Sequence, residues 1–510
     1  MVVGLSSPHS GAGWAERGTM SAPMNEALVK ELRAVVGAAD VLDRLVDLQT
    51  YEYDAYGERS LPGAVVFCDS TAEVAAVVRI LNREAVPFVP RGYGTNVNGG
   101  SLALFGGVVL ELGRMNQVLE VDIPNRCVVV QAGIFNADVS AALAPYGYYY
   151  APDPSSLRAS SIGGNIAENA GGPHCFKYGV TTNHVVGLEV VLPDGEVVWL
   201  GGKSPETAGF DLRGVMIGSE GTLGIVTTAI LRILKLPEMV KTMLAAFATL
   251  EDAGNVVSAI VAAGLVPATL ELMDHGTVNA VEDAFACGYP REAGALLLVE
   301  LDGLRDGMDD LAGEIASICR ANGALDVRVA KDEAERATLW RGRQGTFPAI
   351  TRLAPNYMSL DGTVPRTMLP EALRRIAELA RRHDLPVYCV LHAGDGNIHP
   401  CFLYDGADEE RKQAAKEASM MVLRICAALG GTVSGEHGIG IEKLDAMNLV
   451  FSENDLRAQW LVKEAFDPLN LCNPGKLLPP ASRPAGSAGT PGAGGGAVDA
   501  GPLPKERIGA

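Results

Sequence analysis

A pair of histidines on either side of a tight turn is the part of this sequence best suited to chemistry. Residues 387–400 read Val-Tyr-Cys-Val-Leu-His-Ala-Gly-Asp-Gly-Asn-Ile-His-Pro. Asp395-Gly396 favours a two-residue hairpin loop, because a type I′ turn needs positive φ at both central positions. With that loop His392 lies directly opposite His399, and the Cβ atoms of opposed residues on one sheet face are about 4.5–5.5 Å apart. Two imidazoles at that spacing can bind one metal ion.

A second segment, residues 434–440, reads Ser-Gly-Glu-His-Gly-Ile-Gly and supplies a carboxylate and a third imidazole. A ligand set of His392, His399 and Glu436 leaves one position open on the metal, which is typical of catalytic zinc sites rather than structural ones. His437 would then remain free to move a proton. The alternative interpretation is that two packed or surface histidines fall in register by chance, since short motifs give false positives.

These groups belong to a chain of 510 residues, which predicts two or more domains. An apolar fraction of 48% with 20% charged residues predicts a globular protein. The net charge of −19 argues against a nucleic-acid surface, because no basic block is present to neutralise phosphates. A small anionic substrate remains compatible with this charge, because its carboxylate needs only one or two local cations.

The nine cysteines are scattered without paired spacing, and no secretory signal precedes them. This pattern predicts a reducing cytoplasm, with the cysteines acting as small buried apolar residues. No C-x₂-C-x₂-C run is present, so no iron–sulfur cluster is expected in this chain. No apolar run reaches the roughly 18 residues of a membrane-spanning helix, so membrane association would depend on a partner.

Several elements are predicted from local pattern. Strands are expected at 64–67 and 87–90, and a helix with a Ser70 or Thr71 cap is expected over 71–82. Helical spacing also predicts a helix over 25–36, which residues 40–46 would continue after a break at Gly37. Pro193-Asp194-Gly195 is typical of a turn between two strands.

Glycine-rich loops recur beside predicted strands, at residues 91–96, 160–165, 168–172 and 218–226. Glycine permits tight turns in which backbone N–H groups converge on an anion, as in phosphate-binding nests. Neither a Walker loop nor a G-x-G-x-x-G fingerprint is present, so a nicotinamide Rossmann domain is not expected. One such loop alone is often an ordinary turn. Four separated loops favour one long cofactor that contains a polyphosphate.

Taken together, the motifs of this chain resemble those of the FAD-linked oxidase family, which has the vanillyl-alcohol oxidase fold. Within that family they most resemble the FAD-binding D-subunits of bacterial glycolate oxidase (glycolate dehydrogenase). The resemblance runs from about residue 51 to residue 479. The segments that carry it are 91–95 (Arg-Gly-Tyr-Gly-Thr), 152–156 (Pro-Asp-Pro-Ser-Ser), 161–165 (Ser-Ile-Gly-Gly-Asn), 209–212 (Gly-Phe-Asp-Leu), 218–224 (Gly-Ser-Glu-Gly-Thr-Leu-Gly), 466–468 (Phe-Asp-Pro) and 473–476 (Asn-Pro-Gly-Lys).

This resemblance implies an α+β fold: a two-subdomain FAD-binding domain of the PCMH type, an antiparallel-sheet cap and a C-terminal helical segment. The implied boundaries are 25–237 for the FAD domain, 238–425 for the cap or substrate domain, and 426–480 for the segment that completes the active site. Disordered tails are expected at 1–24 and 481–510, which are rich in Gly, Ala, Ser and Pro.

The resemblance also assigns residues to roles. His392, His399 and Glu436 become ligands of a divalent metal; zinc is expected, although manganese or ferrous iron suits the same ligands. His437 becomes the base, Arg343 the partner of the substrate carboxylate, and Asn397 a further hydrogen-bonding group. The residues expected to contact FAD are Arg91, Gly92, Gly94, Thr95, Asn96, Pro152, Asp153, Ser156, Ser161, Gly163, Gly164, Asn165, Asn169, Gly172, Glu220, Gly224, Ile225 and Asn473.

The activity implied is FAD-dependent oxidation of a small 2-hydroxy acid, with glycolate favoured. Relatives that take dicarboxylates tend to carry a Lys in the strand before the Asp-Gly corner, and residues 357–361 contain none. D-lactate and D-2-hydroxyglutarate dehydrogenases with a non-nicotinamide acceptor are the alternatives, and a non-catalytic flavin-binding subunit is an alternative of another class. The implied partners are an iron–sulfur subunit and a second flavin-type subunit. The expected location is the cytoplasm, peripheral at the inner face of the cell membrane through those partners.

One departure from the family pattern concerns the loop after residue 91. Tyr93 and residues 96–98 (Asn-Val-Asn) are bulkier or more polar than the small residues expected beside a phosphate. We expect this departure to alter FAD affinity without removing the site. His174 and His184 are interpreted as structural residues rather than points of covalent flavin attachment.

Overall fold

The computed structural model describes residues 24–204 and 208–484. The predicted disordered tails, 1–24 and 481–510, fall outside these ranges apart from Met24 and residues 481–484. The predicted long helix over 25–36 is present as Glu26–Val36, and the side chain of Asn25 caps it by accepting the Ala27 N–H at 2.9 Å.

The first layer is a small mixed sheet covered by helices. Its strands are β1 (Val41–Leu42), β2 (Ala64–Phe67), β3 (Phe88–Arg91) and β4 (Val108–Glu111), and its helices are α1 (Glu26–Val36), α2 (Leu45–Leu48) and α3 (Thr71–Arg83). The strand order is β1-β2-β4-β3, with β1 antiparallel and the others parallel. The predicted strands and the predicted helix at 71–82 are confirmed.

The prediction that residues 40–46 continue the first helix is wrong. Gly37 has φ of +104° and ends α1, a conformation that an L-residue rarely adopts. The chain then makes a short 3₁₀ turn, and Val41 pairs with Val66 at the edge of the sheet. Pairing with β2 therefore overrides the weak helical spacing of this segment.

The second layer is an antiparallel sheet with short helices. Its elements and those beside it are β5 (Val118–Asp122), β6 (Cys127–Gln131), β7 (Tyr148–Tyr149), β8 (Val185–Val191), β9 (Val197–Gly201), β10 (Ile225–Arg232), β11 (Leu234–Lys235), α4 (Asn136–Leu143), α5 (Ile162–Glu168), α6 (Cys175–Tyr178) and α7 (Leu212–Met216). The sheet order is β5-β6-β10-β8-β9, and β7 pairs with β11 separately. The predicted turn at 193–195 joins β8 to β9, with Gly195 at φ of +86°.

The third layer is a large antiparallel sheet. Its strands are β12 (Met239–Phe247), β13 (Thr269–Asp274), β14 (Ala295–Gly303), β15 (Asp326–Val329), β16 (Asn356–Ser359), β17 (Gly362–Thr363), β18 (Val387–His392) and β19 (Asn397–Tyr404). The order is β15-β12-β14-β13-β18-β19-β16, and β17 also pairs with β19. The accompanying helices are α8 (Leu250–Ala262), α9 (His275–Phe285), α10 (Met308–Ala321), α11 (Glu333–Gln344), α12 (Thr346–Ile350), α13 (Leu369–Arg382), α14 (Glu409–Ala428) and α15 (Glu453–Phe466).

Apolar side chains fill both faces of this third sheet. Successive residues of a strand point to opposite faces, so Leu391 and Ile398 join the core with α8, α10 and α13, while Val390 and Cys401 join the core with α9 and α11. By the same alternation His392 and His399 lie on the α9–α11 face. The sheet thus fixes the side on which these imidazoles emerge.

The sequence also predicts the absence of a membrane-spanning helix and the burial of the cysteines. No helix within the described ranges is long and apolar enough to cross a bilayer. All nine cysteines are free and buried, which confirms their prediction as small packed residues.

Candidate active site

A cavity of about 730 Å³ opens between the glycine-rich loops of the first two layers and the α9–α11 face of the third. The backbone of Gly164 borders open space, since a Cβ at this position would meet only the Ser161 hydroxyl, at 3.2 Å. The cavity therefore fits an extended cofactor with one end near the histidines. The predicted site residues that line it are Arg91, Gly92, Gly94, Thr95, Asn96, Ser156, Ser161, Gly163, Gly164, Asn165, Glu220, Gly224, Ile225, Arg343, His392, His399, Glu436 and His437.

The other predicted site residues lie behind this lining and shape the loops. The carboxylate of Asp153 pairs with His174 at 2.7 Å. Asn169 is the left-handed C-cap of α5 and accepts the Thr182 N–H at 2.9 Å. Direct contact with a cofactor stays a prediction for these residues, which are Pro152, Asp153, Asn169, Gly172 and Asn473; Asn397 also lies outside the lining.

The bulky residues of the 91–98 loop are held by the protein itself. The ring of Tyr93 stacks on Phe135 with centroids 4.3 Å apart, and its hydroxyl lies 3.0 Å from the Gly133 carbonyl. Asn98 is fully buried and donates to Glu168 at 2.9 Å. These contacts give the larger side chains a place within the loop, while the effect on FAD affinity stays a prediction.

The predicted register of the histidine hairpin is wrong. Val390, not His392, pairs with His399, and His392 pairs with Asn397, so the loop has four residues instead of two. The Ala393 and Gly394 N–H groups donate to Leu270 O on β13, at 2.8 and 3.3 Å, and so leave the hairpin ladder. Asp-Gly turn preference is local, and pairing with a third strand outweighs it.

The two histidines nevertheless converge. Asn397 and His399 share a face of β19, so His392 and His399 are diagonal neighbours on one side of the sheet. Their rings meet edge to face with centroids 5.1 Å apart. Glu436 Oε1 lies 3.3 Å from His392 Nε2 and 3.2 Å from His399 Nε2. One donor atom of each residue lies within 4.8 Å of the others, a spacing that can hold one metal ion.

The hydrogen bonds of Nδ1 in His392 and His399 determine whether Nε2 of each ring presents a lone pair to the candidate metal position. His399 Nδ1 lies 3.0 Å from the Leu360 carbonyl, so Nδ1 carries the proton and Nε2 presents a lone pair. That buried Nε2 has no hydrogen-bond partner. His392 Nδ1 lies 2.8 Å from the carboxylate of Glu271, which fixes the same tautomer. Two lone pairs and the Glu436 carboxylate at one point form a donor set that fits a divalent cation.

The carboxylates around His392 also favour a bound cation. Burial alone would lower its pKa, but the carboxylates of Glu271 and Glu436 outweigh burial and raise the pKa well above its ordinary value. A positive charge is therefore stabilised at this point, and a bound cation would replace the proton.

His437 lies beside the three candidate metal ligands but is not one of them. Its ring stacks on His399 with centroids 5.2 Å apart, and its Nε2 lies 3.6 Å from Glu436 Oε1. The side chain is 22% exposed, toward the cavity. Burial lowers the pKa of His437 to about 4, so the ring is neutral at physiological pH and can accept a proton.

Asp361 holds the loop that carries Glu436 and His437. It is fully buried and accepts the Glu436 N–H at 3.1 Å, the His437 N–H at 2.8 Å and the Ser434 hydroxyl at 2.7 Å. Lys443 is also fully buried and pairs with it at 3.2 Å. Burial favours the neutral acid, but the Lys443 ammonium outweighs it and keeps the pKa of Asp361 below its ordinary range.

Asp361 also lies within 4.8 Å of donor atoms of His399 and His437, which forms a second trio with metal-ligand spacing. Its oxygens already accept the hydrogen bonds just described. The trio of His392, His399 and Glu436 has the freer donor atoms and is the better candidate.

Residues of the second layer hold the same loop from the opposite direction. The carboxylate of Glu220 accepts the Ile439 N–H at 2.6 Å and the Gly440 N–H at 2.7 Å. Gly438 has φ of +80°, and a Cβ there would lie 2.1 Å from Glu168 Oε2. Only glycine fits this close approach. The position of His437 therefore depends on Asp361 from the third layer and on Glu168 and Glu220 from the second layer.

The C-terminal motif closes the cavity from behind. The amide of Asn473 donates to Gly100 O at 2.9 Å and to Glu220 O at 2.7 Å. Lys476 donates to Leu102 O at 2.6 Å. These bonds tie the 218–226 loop and residues 100–102 to the segment 473–476.

Arg343, on α11, lines the cavity with a side chain that is 5% exposed. Its guanidinium forms an ion pair with the fully buried Glu271, and its Nε atom is buried without a hydrogen-bond partner. Asn397 is buried beside His392, and its Oδ1 atom also has no partner. Binding of substrate by Arg343 and Asn397 stays a prediction.

Three residues of the site, Glu271, Asp361 and Lys443, were not predicted from the sequence. Glu271 does carry a signal, because it stands in the otherwise apolar run Thr-Leu-Glu-Leu-Met at 269–273. A carboxylate in a buried strand needs a partner. The partner's identity, however, depends on strand order.

Two family models match this chain. Residues 62–201 match the FAD binding domain, and residues 236–477 match the C-terminal domain of FAD linked oxidases. The match to the FAD binding domain supports FAD as the occupant of the cavity.

Known proteins extend the likeness over nearly the whole chain. The glycolate oxidase subunit GlcD of Escherichia coli K12 is 42% identical over 89% of this chain and 91% of its own length. A D-lactate dehydrogenase of Anaerostipes hadrus is 34% identical over 84% of this chain and 91% of its own length. The solved structure of p-cresol methylhydroxylase has a TM-score of 0.75 at 17% identity, covering 88% of this chain and 96% of that one. The predicted PCMH-type fold is confirmed, and the chain belongs to the FAD-linked oxidase family of FAD-dependent oxidoreductases.

Proposed function

We propose that this protein oxidises a small 2-hydroxy acid to the 2-oxo acid, with glycolate as the preferred substrate. The observation that carries the proposal is the convergence of His392, His399 and Glu436 beside a neutral His437, at one end of the FAD cavity. The relatives named as a glycolate oxidase subunit and a D-lactate dehydrogenase support the same class of substrate.

The reaction removes the hydroxyl proton and a hydride from C2, and leaves a carbonyl. FAD, when bound, supplies the hydride acceptor, and a divalent cation held by His392, His399 and Glu436 supplies a Lewis acid. His437 accepts the hydroxyl proton at a ring nitrogen, because burial keeps the ring neutral.

The choice between a monocarboxylate and a dicarboxylate substrate depends on whether the cavity offers a cation to a second carboxylate. Arg343 binds the first carboxylate, for which a guanidinium offers two parallel N–H donors. The strand at 356–359 and the residues after it contribute no Lys, and Lys443 is fully buried against Asp361. Two lysines on α14 do line the cavity, but each lies near a carboxylate of its own: Lys412 is 3.8 Å from Glu409, and Lys416 is 4.0 Å from Glu58. A monocarboxylate such as glycolate therefore fits better than a dicarboxylate.

Two alternatives differ in substrate or in class. A D-lactate or D-2-hydroxyglutarate dehydrogenase would use the same residues with another side chain at C2. A non-catalytic flavin-binding subunit would not need the converging donor set or the base. The intact geometry of these groups favours the catalytic interpretation.

We further propose that the electrons leave through partners, an iron–sulfur subunit and a second flavin-type subunit, toward quinone. All nine cysteines are buried and dispersed, so this chain does not offer a cluster site among its described residues. The Escherichia coli relative is itself named as a subunit. Such an assembly would place the protein in the cytoplasm, at the inner face of the cell membrane.

Anaerobic flavin bleaching tests the proposal. The FAD-loaded protein is mixed with glycolate, D-lactate or D-2-hydroxyglutarate, and the loss of flavin absorbance is followed by stopped flow. We expect the fastest bleaching with glycolate, and its loss after treatment with a chelator. Restoration by zinc or manganese, but not by magnesium, would support imidazole ligands. Equal bleaching with and without chelator would contradict the role of the metal, and no bleaching by any 2-hydroxy acid would contradict the activity.

A further inference from the structure

Glu271 connects two predicted functional groups that lie on different elements. It stands on β13 directly opposite His392 on β18. One oxygen of its carboxylate lies 2.8 Å from His392 Nδ1, and the other oxygen forms an ion pair with Arg343 on α11. All three side chains are at least nine-tenths buried.

The contacts use both oxygens of this carboxylate. Oε1 also accepts the Thr269 hydroxyl at 3.1 Å. Charge-assisted hydrogen bonds of this kind are about twice as strong as neutral ones, and they are directional. Both the orientation of the His392 ring and the position of the Arg343 guanidinium therefore depend on one carboxylate.

We propose that Glu271 is a positioning residue that serves the metal and the substrate together. It holds His392 with Nε2 toward the candidate metal position between His392, His399 and Glu436. It also holds Arg343 where the carboxylate of the 2-hydroxy acid binds. This inference rests on the proposed function, because it assigns a role to Glu271 in the same site.

A second buried carboxylate distinguishes this role from a purely structural one. The same sheet contains a second buried carboxylate, Glu300 on β14, which also approaches a histidine: His174 Nε2, at 3.4 Å. Glu300 accepts the Thr242 hydroxyl at 2.6 Å and pairs with Arg336 at 3.1 Å, away from the candidate metal position. It therefore offers a matched control, since it is a buried carboxylate bonded to a histidine and an arginine that have no assigned ligand role.

The test compares Glu271→Gln and Glu300→Gln in the FAD-loaded protein. Zinc affinity is measured by titration against a competing chelator, and bound metal is counted by mass spectrometry. Removing a partner of this kind from a metal-bound histidine weakens metal affinity by about 10–100-fold. We expect that loss in Glu271→Gln, together with a raised KM for glycolate at saturating zinc, and neither effect in Glu300→Gln.

The outcomes separate the inference from the proposed function. If the wild-type protein binds no zinc, manganese or iron, the proposed metal site itself is refuted. If the wild type binds metal and Glu271→Gln binds it equally well, the role of Glu271 is refuted while the metal site stands.

A folding defect is addressed by a second variant, Glu271→Asp, which keeps the charge but shortens its reach. We expect this variant to load FAD and to show a smaller loss of zinc affinity than Glu271→Gln. Failure of both variants to load FAD would assign Glu271 to folding alone and would overturn the proposal.

Discussion

Replacing Lys443 with Met should destabilise the protein and weaken the attachment of the loop that carries His437, because Lys443 also donates to Gly438 O at 3.0 Å. The Lys443 ammonium pairs with Asp361 at 3.2 Å, and both side chains are fully buried. Removing one partner of a buried ion pair costs about 3–5 kcal/mol, because the other charge is left unpaired. Asp361 would retain the Ser434 hydroxyl and the N–H groups of residues 436 and 437. We therefore expect a loss near the lower limit, about 3 kcal/mol.

The measurement is urea unfolding of the FAD-loaded protein, followed by flavin fluorescence and by circular dichroism. Lys463→Met serves as the control, because Lys463 is also buried and pairs with Asp467, at 2.5 Å, beside the 218–226 loop rather than the 434–440 segment. Both variants should be destabilised, but only Lys443→Met should also lose zinc affinity, since Asp361 positions Glu436. The double variant Lys443→Met with Asp361→Asn should recover stability, because the unpaired charge is gone. A single variant as stable as the wild type would refute the reasoning.

Two further predictions concern histidines. His437→Asn should slow flavin reduction by about 10²–10⁴-fold while FAD and metal content stay unchanged; an unaltered stopped-flow rate would rule out His437 as the base. Burial alone would lower the pKa of His174, but the carboxylates of Asp153 and Glu300 outweigh it and raise the pKa well above its ordinary value. The stabilisation from this contact is complete below the unfolded pKa of about 6.5 and is lost as the pH rises through the raised folded pKa. His174→Gln should therefore lower the melting temperature more at about pH 6 than at alkaline pH, and an equal loss at both would contradict the ion pairing.

Much of the fold could be predicted because local signals and tertiary packing agree. In α3 the Ser70 cap, the apolar spacing and the neighbouring strands all indicate one helix, and it forms as predicted. Residues 40–46 show the opposite case, in which weak helical spacing yields to pairing between Val41 and Val66. Sequence spacing carries no information about a strand that arrives from elsewhere in the chain.

The site shows the same division. The types of the metal-ligand candidates could be predicted from the motifs, and their convergence is seen, yet the hairpin register was wrong because Ala393 and Gly394 bond to β13. Glu271 and Asp361 could not be assigned, since Glu271 is 121 residues from His392 in sequence and Asp361 is 75 residues from Glu436. Such contacts follow from the order of strands and loops in the whole fold, which local patterns do not determine.

The hydrogen bonds of Asn473 have a consequence for the order in which the protein is made. They join residue 473 to Gly100, 373 residues earlier in the sequence. The loops around the cavity therefore cannot reach this bonded arrangement until residue 473 has left the ribosome. A product that stops before residue 473 would lack these bonds, and we expect it to hold FAD less tightly than the full chain.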